Sequence, residues 1–207
     1  MPSVPSALRT GPFRQEDAAG FGVTRKQLRG PAYRRLGSGL YRWVGLNESP
    51  HLLLTAIAMR LPAGGAFSGL TAAWLHGLDV APCNPIEVTI PEPAGSGRLA
   101  GASVRRAALS GEEIVPRRDL PATSALRTVA DLGGRNPLTE AVVMADLFLH
   151  AELVTMLALH TYVSEHPGAK GVARLQSTLP AFPFHDAEHP AASRRSPEAD
   201  RSPFGVP

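Results

Sequence analysis

Glycines and prolines divide the first 47 residues into segments that are long enough only for small secondary-structure elements. A helix-compatible segment over residues 13–20 is broken by Gly20-Phe21-Gly22, and a second segment is ended by Gly30-Pro31. Between these breaks, Thr24-Arg25-Lys26-Gln27 has the T-x-x-Q form of a capping box, whose two polar side chains satisfy backbone amides of the first helical turn. We therefore expect two short helices joined by a tight turn, the second beginning at Thr24.

A hairpin is expected directly after the second helix. Two β-prone runs, residues 33–36 and 40–44, flank Gly37-Ser38-Gly39, and glycine-rich turns of this kind join antiparallel strands. The order of helix, tight turn, basic helix and hairpin is typical of a winged helix-turn-helix, whose second helix enters the DNA major groove. An ordinary corner of an α+β domain with an arginine-rich face has the same order, so both interpretations stay open.

Positive charge is concentrated in this same segment. Residues 1–45 hold eight basic and two acidic side chains, a net charge of +6, whereas the rest of the chain holds 13 basic and 16 acidic side chains, a net charge of −3. The whole-chain charge of +3 hides this asymmetry, which favours a polyanionic partner for the N-terminal segment. A solvated charged surface without a partner is the alternative.

The predicted DNA-binding residues are the cationic and hydrogen-bonding side chains of this segment. Arg25, Lys26 and Arg29 would meet the groove, and the arginines of the hairpin would contact the phosphate backbone. If about six phosphates are neutralised, the logarithm of affinity should fall with the logarithm of salt concentration with a slope of about −5. The full predicted set is Arg14, Thr24, Arg25, Lys26, Arg29, Arg34, Arg35 and Arg42.

Beyond residue 47 the sequence changes to a mixture of helix and strand patterns, so the predicted fold class is α+β. Alternation over Ile86-Glu87-Val88-Thr89-Ile90 predicts a strand, and Asn136-Pro137 is a helix-start signal before an apolar helix that runs to about Leu149. Six prolines with serine and mixed charge after residue 179 predict a disordered tail. The expected organisation is a flexible N-terminus over 1–12, a winged helix-turn-helix over 13–47, an α+β body over 48–179 and the tail over 180–207.

Several blocks of the chain resemble the AbiEi-type antitoxin family, as found in actinobacteria. Near the N-terminus these blocks are residues 13–31 and Arg34-Arg35-Leu36-Gly37-Ser38-Gly39-Leu40-Tyr41. In the body they are residues 66–78, Glu87-Val88-Thr89-Ile90-Pro91 and residues 123–132, so the likeness covers about residues 13–179. Similar actinobacterial chains often continue into a very-short-patch-repair-type endonuclease domain, and the proline-rich tail stands here where that domain would begin.

The resemblance implies a function as well as a fold. It implies an N-terminal DNA-binding domain that represses transcription of its own operon, with the double-stranded operator as its partner. It also implies a body linked to neutralising a nucleotidyltransferase-like toxin, as the antitoxin of a type IV toxin–antitoxin system. Two other functions stay open: a protein-interaction module that does not bind DNA, and a catalytically empty remnant of an endonuclease fusion. The oligomeric state is open as well.

No catalytic residue, cofactor or metal site is expected, so the chain is predicted not to be an enzyme. A restriction-like nuclease needs an acidic residue two positions before a lysine, but Thr24 and Gly168 stand there before Lys26 and Lys170. Gly37-Ser38 lacks the nearby carboxylate pair with which nucleotidyltransferases hold Mg²⁺.

Two further candidates for metal or redox chemistry are also rejected. His185 and His189 have the spacing of a zinc pair, but Pro183 and Pro190 flank them and oppose the helix that such a pair needs. Cys83 is the single cysteine, which excludes an internal disulfide and any zinc site built on two thiolates. With no secretory signal and no apolar run long enough to span a membrane, the expected location is the cytoplasm.

Overall fold

The computed structural model describes residues 4–37, 39–80, 84–92, 99–167 and 172–179. Within them lie eight α-helices and two β-sheets, so the predicted α+β class is confirmed. The predicted tail, the His185–His189 pair and Cys83 lie outside the described residues. No helix in the described part of the chain has the length and apolar character needed to cross a membrane.

An N-terminal unit, defined by the described residues up to 47, contains two short helices and a three-stranded antiparallel sheet. The sheet has the order β1-β3-β2, and the hairpin of β2 and β3 pairs Tyr33 with Trp43 and Arg35 with Tyr41. The elements are a 3-10 helix Ser6–Arg9, β1 Phe13–Arg14, α1 Gln15–Gly20, α2 Arg25–Leu28, β2 Tyr33–Gly37 and β3 Leu40–Trp43.

The predicted local signals of this unit are present. The Thr24 hydroxyl accepts a hydrogen bond from the Gln27 amide at 3.3 Å, and Gln27 Oε1 accepts one from the Thr24 amide at 2.7 Å, which together form the capping box of α2. The hairpin turns at the predicted glycines. The first helix begins two residues later than the helix-compatible pattern indicates, because Phe13 and Arg14 pair with β3 as a strand.

The residues that precede β1 carry structure where the sequence predicts a flexible segment. Leu8 lies in the 3-10 helix, is 2% exposed and packs with Phe13, Ala18, Val23 and Leu28 in the small core of the N-terminal unit. Pro5 and Pro12 bound this short segment, and its single 3-10 turn needs only the hydrogen bond from the Leu8 amide to the Pro5 carbonyl, at 3.0 Å.

The body, residues 48–179, is built on a five-stranded mixed sheet of order β6-β5-β4-β8-β7. The pairs β5–β6 and β4–β8 are parallel, and β4–β5 and β7–β8 are antiparallel. Its elements are α3 Pro50–Ala58, β4 Ala66–Phe67, α4 Gly69–Leu75, β5 Ile86–Ile90, β6 Ala102–Arg106, a 3-10 helix Gly111–Glu113, β7 Ile114–Arg117, β8 Leu120–Thr123, α5 Ala125–Arg135, α6 Leu138–His150, α7 Met156–Glu165 and α8 Val172–Thr178.

Two hydrophobic cores hold the body together. One lies between the sheet and helices α3 and α4, with Phe67 and Leu54 fully buried at its centre. The other lies among the C-terminal helices, where Phe148, Leu159 and Leu175 are fully buried. Helices α4 and α5 are packed together and thereby join the sheet layer to the helical layer.

Candidate nucleic-acid interface

Helix α2 presents basic side chains on its exposed surface. Leu28 is 2% exposed and anchors the helix on the core of the N-terminal unit, whereas Arg25, Lys26 and Arg29 are all exposed to solvent. When the Gln15 amide is oriented with its oxygen toward Arg25, that oxygen accepts a hydrogen bond from Arg25 Nε at 2.9 Å, which links α1 to α2. A one-turn helix therefore holds three cations in solvent, with its apolar side fixed.

Thr24 also belongs to the predicted DNA-binding set, and in the free protein it positions α2. Its hydroxyl lies 2.8 Å from Gln27 Oε1 and 3.3 Å from the Gln27 amide, so it donates to the former and accepts from the latter. The hydroxyl caps the N-terminus of α2. This cap fixes the direction of the helix and thereby of the basic side chains that follow.

The two predicted cations of β2 are both exposed, and each has a local contact. Arg35 Nε donates to the Gly37 carbonyl at 3.1 Å, and Arg34 Nη1 lies 3.3 Å from Glu48 Oε1. Because neighbouring side chains of a strand point to opposite faces, these two arginines extend from opposite sides of the hairpin. The Arg34–Glu48 pair is solvent-exposed, with more than 60% of each side chain accessible, so solvent screens it.

Arg42 lies in the interior of the free protein, which opposes the phosphate contact predicted for this residue. It is 3% exposed, its Nη2 lies 2.5 Å from Glu48 Oε1, and its Nη1 donates to the Leu46 carbonyl at 2.6 Å. Arg34 stands directly opposite Arg42 in the strand register, and Glu48 Oε1 contacts both guanidinium groups, so its single negative charge offsets the repulsion of this like-charged pair. Arg42 thus fastens the segment that leads into the body.

Arg14 is exposed to solvent and also contacts the body. Its Nη2 donates to the Met59 carbonyl at the end of α3, and its Nε lies 3.8 Å from Glu16 Oε1. Its backbone amide donates to Asp17 Oδ2 at 2.8 Å, which caps α1. Arg14 therefore links β1 to α3 in this structure, and its predicted contact with DNA stays a prediction.

Six of the eight predicted residues are exposed cations of the N-terminal unit: Arg14, Arg25, Lys26, Arg29, Arg34 and Arg35. Phe21 joins them as an exposed residue that the sequence pattern misplaces. The pattern treats it as an apolar point of the first helix, but its side chain is 53% exposed in the turn between α1 and α2. The signal that could have identified it is its position between two glycines, outside either helix.

The body contains a buried cluster of acidic and basic side chains around α5. Asp131 is 2% exposed and lies between Arg105 and Arg127, at 2.5 Å from Arg105 Nη1 and 3.2 Å from Arg127 Nε. Arg127 Nη1 also lies 2.8 Å from Glu113 Oε1, to which Tyr162 donates from its hydroxyl at 3.3 Å. The cluster ties α5 and α7 to the sheet.

The protonation states of this cluster follow from burial and pairing. Burial alone would raise the pKa of the Glu113 carboxyl, but hydrogen bonds from Arg127 and a backbone amide outweigh it and hold that pKa below its ordinary value. Burial and the adjacent Glu113 charge raise the pKa of the Tyr162 hydroxyl to about 12. Glu113 is therefore ionised and paired with Arg127. Across the described ranges, no group of three or more His, Cys, Asp or Glu side chains is placed to hold a metal ion.

The fold has a counterpart among solved structures. It is similar to the crystal structure of the RV2827C protein from Mycobacterium tuberculosis, with a TM-score of 0.55 and 20% sequence identity, over 84% of this chain and 77% of that chain. No protein-family model and no curated protein sequence matches the chain. At 20% identity the similarity concerns the fold alone.

Proposed function

We propose that the N-terminal unit is a winged helix-turn-helix and that the chain is a DNA-binding transcriptional repressor with an antitoxin role. One observation carries the proposal: a capped helix, fixed on its apolar side by Leu28, has only basic side chains among its exposed residues. In a winged helix-turn-helix this is the helix that enters the major groove, and the hairpin that follows it contacts the phosphate backbone. Such a regulator acts in the cytoplasm, where it meets its DNA.

The chemistry of the exposed cations suits DNA. Arginine can donate two hydrogen bonds to the O6 and N7 atoms of guanine, and Arg25 and Arg29 are exposed and able to do so. With Arg42 internal and Arg14 in contact with the body, about five phosphates remain as contacts. The slope of log affinity against log salt is then about −4.5, shallower than the sequence alone predicts.

An electrophoretic mobility-shift assay on the upstream region of the gene tests the proposal. The wild-type chain should retard this fragment, and Arg25→Ala combined with Arg29→Ala should weaken binding by about a hundredfold, as expected for two lost groove contacts. The matched control is Arg118→Ala combined with Arg174→Ala, which removes the same charge from the body and should leave the affinity within about twofold. Absence of retardation by the wild-type chain at low salt would contradict the proposal.

The antitoxin role rests on the resemblance to AbiEi-type antitoxins and concerns the body. Aliphatic side chains on α6 and α7 offer a surface for a protein partner, since Leu138, Val143 and Leu157 are each more than half exposed. The product of an adjacent nucleotidyltransferase-like gene, expressed alone, should arrest growth. Co-expression of the present chain should restore growth. Growth arrest that persists with the wild-type chain present would contradict the antitoxin role and leave the DNA-binding proposal intact.

A protein-interaction module that does not bind DNA is the second candidate. It is favoured by the internal pairing of Arg42 and by the contact of Arg14 with the body, which reduce the number of free cations in the N-terminal unit. The double variant Arg25→Ala and Arg29→Ala separates the two candidates. It should abolish a phenotype that depends on DNA binding, but it should not change capture of a protein partner.

A further inference from the structure

A cavity lies where the N-terminal unit meets the body. It has a volume of about 520 Å³ and is bounded by β2, by α3 and by residues 84–86 and 100–101. Pockets that hold small molecules typically measure about 300 to 1,000 Å³ and often lie at boundaries between structural units. This cavity has both properties.

The walls of the cavity are mainly aliphatic. Leu36 comes from β2, Leu53 and Ile57 from α3, and Ile86 from the start of β5. Leu53 is 46% exposed although it lies on the second turn of a helix whose neighbouring residues Leu52 and Leu54 are buried. A ligand with an apolar body would cover this leucine and remove its surface from water, which favours binding.

The cavity has two ionisable residues, which differ in how fully their charges are paired within the protein. The Glu48 carboxylate is paired with Arg42 at 2.5 Å and Arg34 at 3.3 Å. Arg60 has no ion pair within the described part of the chain, and its Nη1 donates one long hydrogen bond, 3.4 Å, to the Ala100 carbonyl. A guanidinium group has five N–H donors, so most of the hydrogen-bonding capacity of Arg60 is free for a ligand.

Arg60 also stands between the two halves of the cavity. A methyl group on Gly37 of the hairpin would lie 3.3 Å from Arg60 Nη1, and the Ala100 carbonyl lies on the body side. The guanidinium group is therefore a cationic donor in a space whose other walls are mainly aliphatic, with Glu48, Ser49 and Asn84 as the other polar residues. Such a space matches a molecule with a hydrocarbon body and one anionic end.

We propose that this cavity binds a small amphipathic monoanion, a carboxylate with an aliphatic or aromatic body. The carboxylate would accept paired hydrogen bonds from Arg60, in the geometry that guanidinium and carboxylate groups share. The hydrocarbon body would lie against Leu36, Leu53 and Ile86. This inference rests on the cavity alone and does not depend on DNA binding.

Fluorescence titration with 8-anilinonaphthalene-1-sulfonate, an amphipathic anion, tests the site in the full chain. Binding should saturate at one molecule per chain. Octanoate should displace the dye, and octanol at the same concentration should not, because the alcohol has no charge for Arg60. Displacement by both compounds to the same extent, or dye binding at many sites without saturation, would overturn the proposal.

Variants locate the site. Arg60→Gln should weaken dye and octanoate binding by about tenfold, and Arg60→Lys, which keeps the charge, should remain within about threefold of wild type. Leu53→Glu should weaken binding by about tenfold as well, because it places a like charge in the cavity. The matched controls are Arg174→Gln and Leu157→Glu, which make the same changes on exposed positions of α8 and α7 and should bind as wild type. Thermal melts show which variants are folded, and folded Arg60→Gln with wild-type affinity would refute the inference.

Discussion

Arg42 and Glu48 form an ion pair at 2.5 Å in which only the acid faces solvent: the arginine side chain is 4% exposed and the glutamate side chain 64%. The buried partner depends on the exposed one. If Glu48 is removed, a guanidinium group stays buried with only backbone carbonyls to compensate it. If Arg42 is removed, the carboxylate is hydrated and keeps its contact with Arg34.

This asymmetry predicts an order of stabilities. Glu48→Ala should lower the free energy of unfolding by about 2 kcal/mol, since it leaves a buried charge without its counter-ion. Arg42→Met, which fills the same space with an apolar chain, should lower it by about 1 kcal/mol or less. Urea denaturation of both variants measures the difference. Equal losses, or a larger loss for Arg42→Met, would show that Arg42 does not depend on Glu48.

The salt dependence of DNA binding distinguishes a buried arginine from an exposed one. Arg35→Met should make the slope of log affinity against log salt shallower by about 0.9, because one phosphate contact is lost. Arg42→Met should leave the slope unchanged, since its guanidinium group is internal. Mobility shifts at four or more salt concentrations measure both slopes. A shallower slope for Arg42→Met would mean that this arginine leaves Glu48 and reaches the DNA in the complex.

Leu8 should contribute to stability although it precedes the first strand. Leu8→Ala should lower the free energy of unfolding by about 2 to 3 kcal/mol, because it opens a cavity among Phe13, Ala18 and Leu28. The control is Ala7→Ser at the neighbouring exposed position, which should change stability by less than about 0.5 kcal/mol. Urea denaturation measures both variants. Identical denaturation curves for Leu8→Ala and wild type would contradict this role of Leu8 and support the flexible N-terminus that the sequence predicts.

Local signals in the sequence were sufficient for the elements that make up the candidate site. The Thr24–Gln27 capping box and the glycine turn after residue 36 involve contacts between neighbours in the chain, and both are present in the structure. The placement of Arg42 could not be predicted this way. It is one of eight similar basic residues near the N-terminus, and its contacts with Trp43, Leu46 and Glu48 hold it inside.

The hairpin of β7 and β8 shows the same limit in the body. Its turn residues Arg118 and Asp119 have φ values of 49° and 61°, and Arg118 is not among the glycine, asparagine and aspartate residues that favour such turns. Pro116 pairs with Pro121 in its strands, and proline ordinarily indicates that a segment is not a strand. The parallel pairing of β8 with β4 joins residues far apart in sequence, which no local pattern encodes.

His76 should make stability depend on pH. Burial lowers the pKa of its imidazole and outweighs the hydrogen bond to the Thr123 carbonyl, which raises that pKa. The positive charge of Arg117 lowers the pKa further. The neutral ring suits these partners, because Nε2 lies 2.8 Å from that carbonyl and Nδ1 accepts from Arg117 Nε at 3.1 Å. A pKa lowered in the folded state means that unfolding takes up a proton once pH falls below about 6.5, the ordinary value of histidine.

The stabilising contribution of neutral His76 is therefore complete above that pH and is lost as pH falls through the folded-state pKa. Urea denaturation at several pH values between about 7.5 and 5 should show a smaller loss of stability for His76→Gln than for wild type, because glutamine does not titrate there. Parallel stability curves for the two proteins would show that His76 is not the group responsible.

Gly69 should be the most sensitive of the body glycines that the structure describes, because it combines a left-handed backbone with a close neighbour. Its φ is +57°, and a methyl group there would overlap Glu87 Oε2 and lie 2.6 Å from Arg135 Nη2. Glu87 cannot move freely, since Oε2 accepts from the Leu70 amide at 2.7 Å and Oε1 pairs with Arg135 Nη1 at 2.9 Å. Gly69→Ala should therefore lower the free energy of unfolding by about 3 kcal/mol, from backbone strain and overlap together.

The control is Gly77→Ala. Gly77 has a φ of +97° and no atom within 4 Å of the added methyl group, so this variant should lower the free energy of unfolding by about 1 kcal/mol from strain alone. Equal losses in urea denaturation would show that the Glu87–Arg135 pair yields to the methyl group without cost.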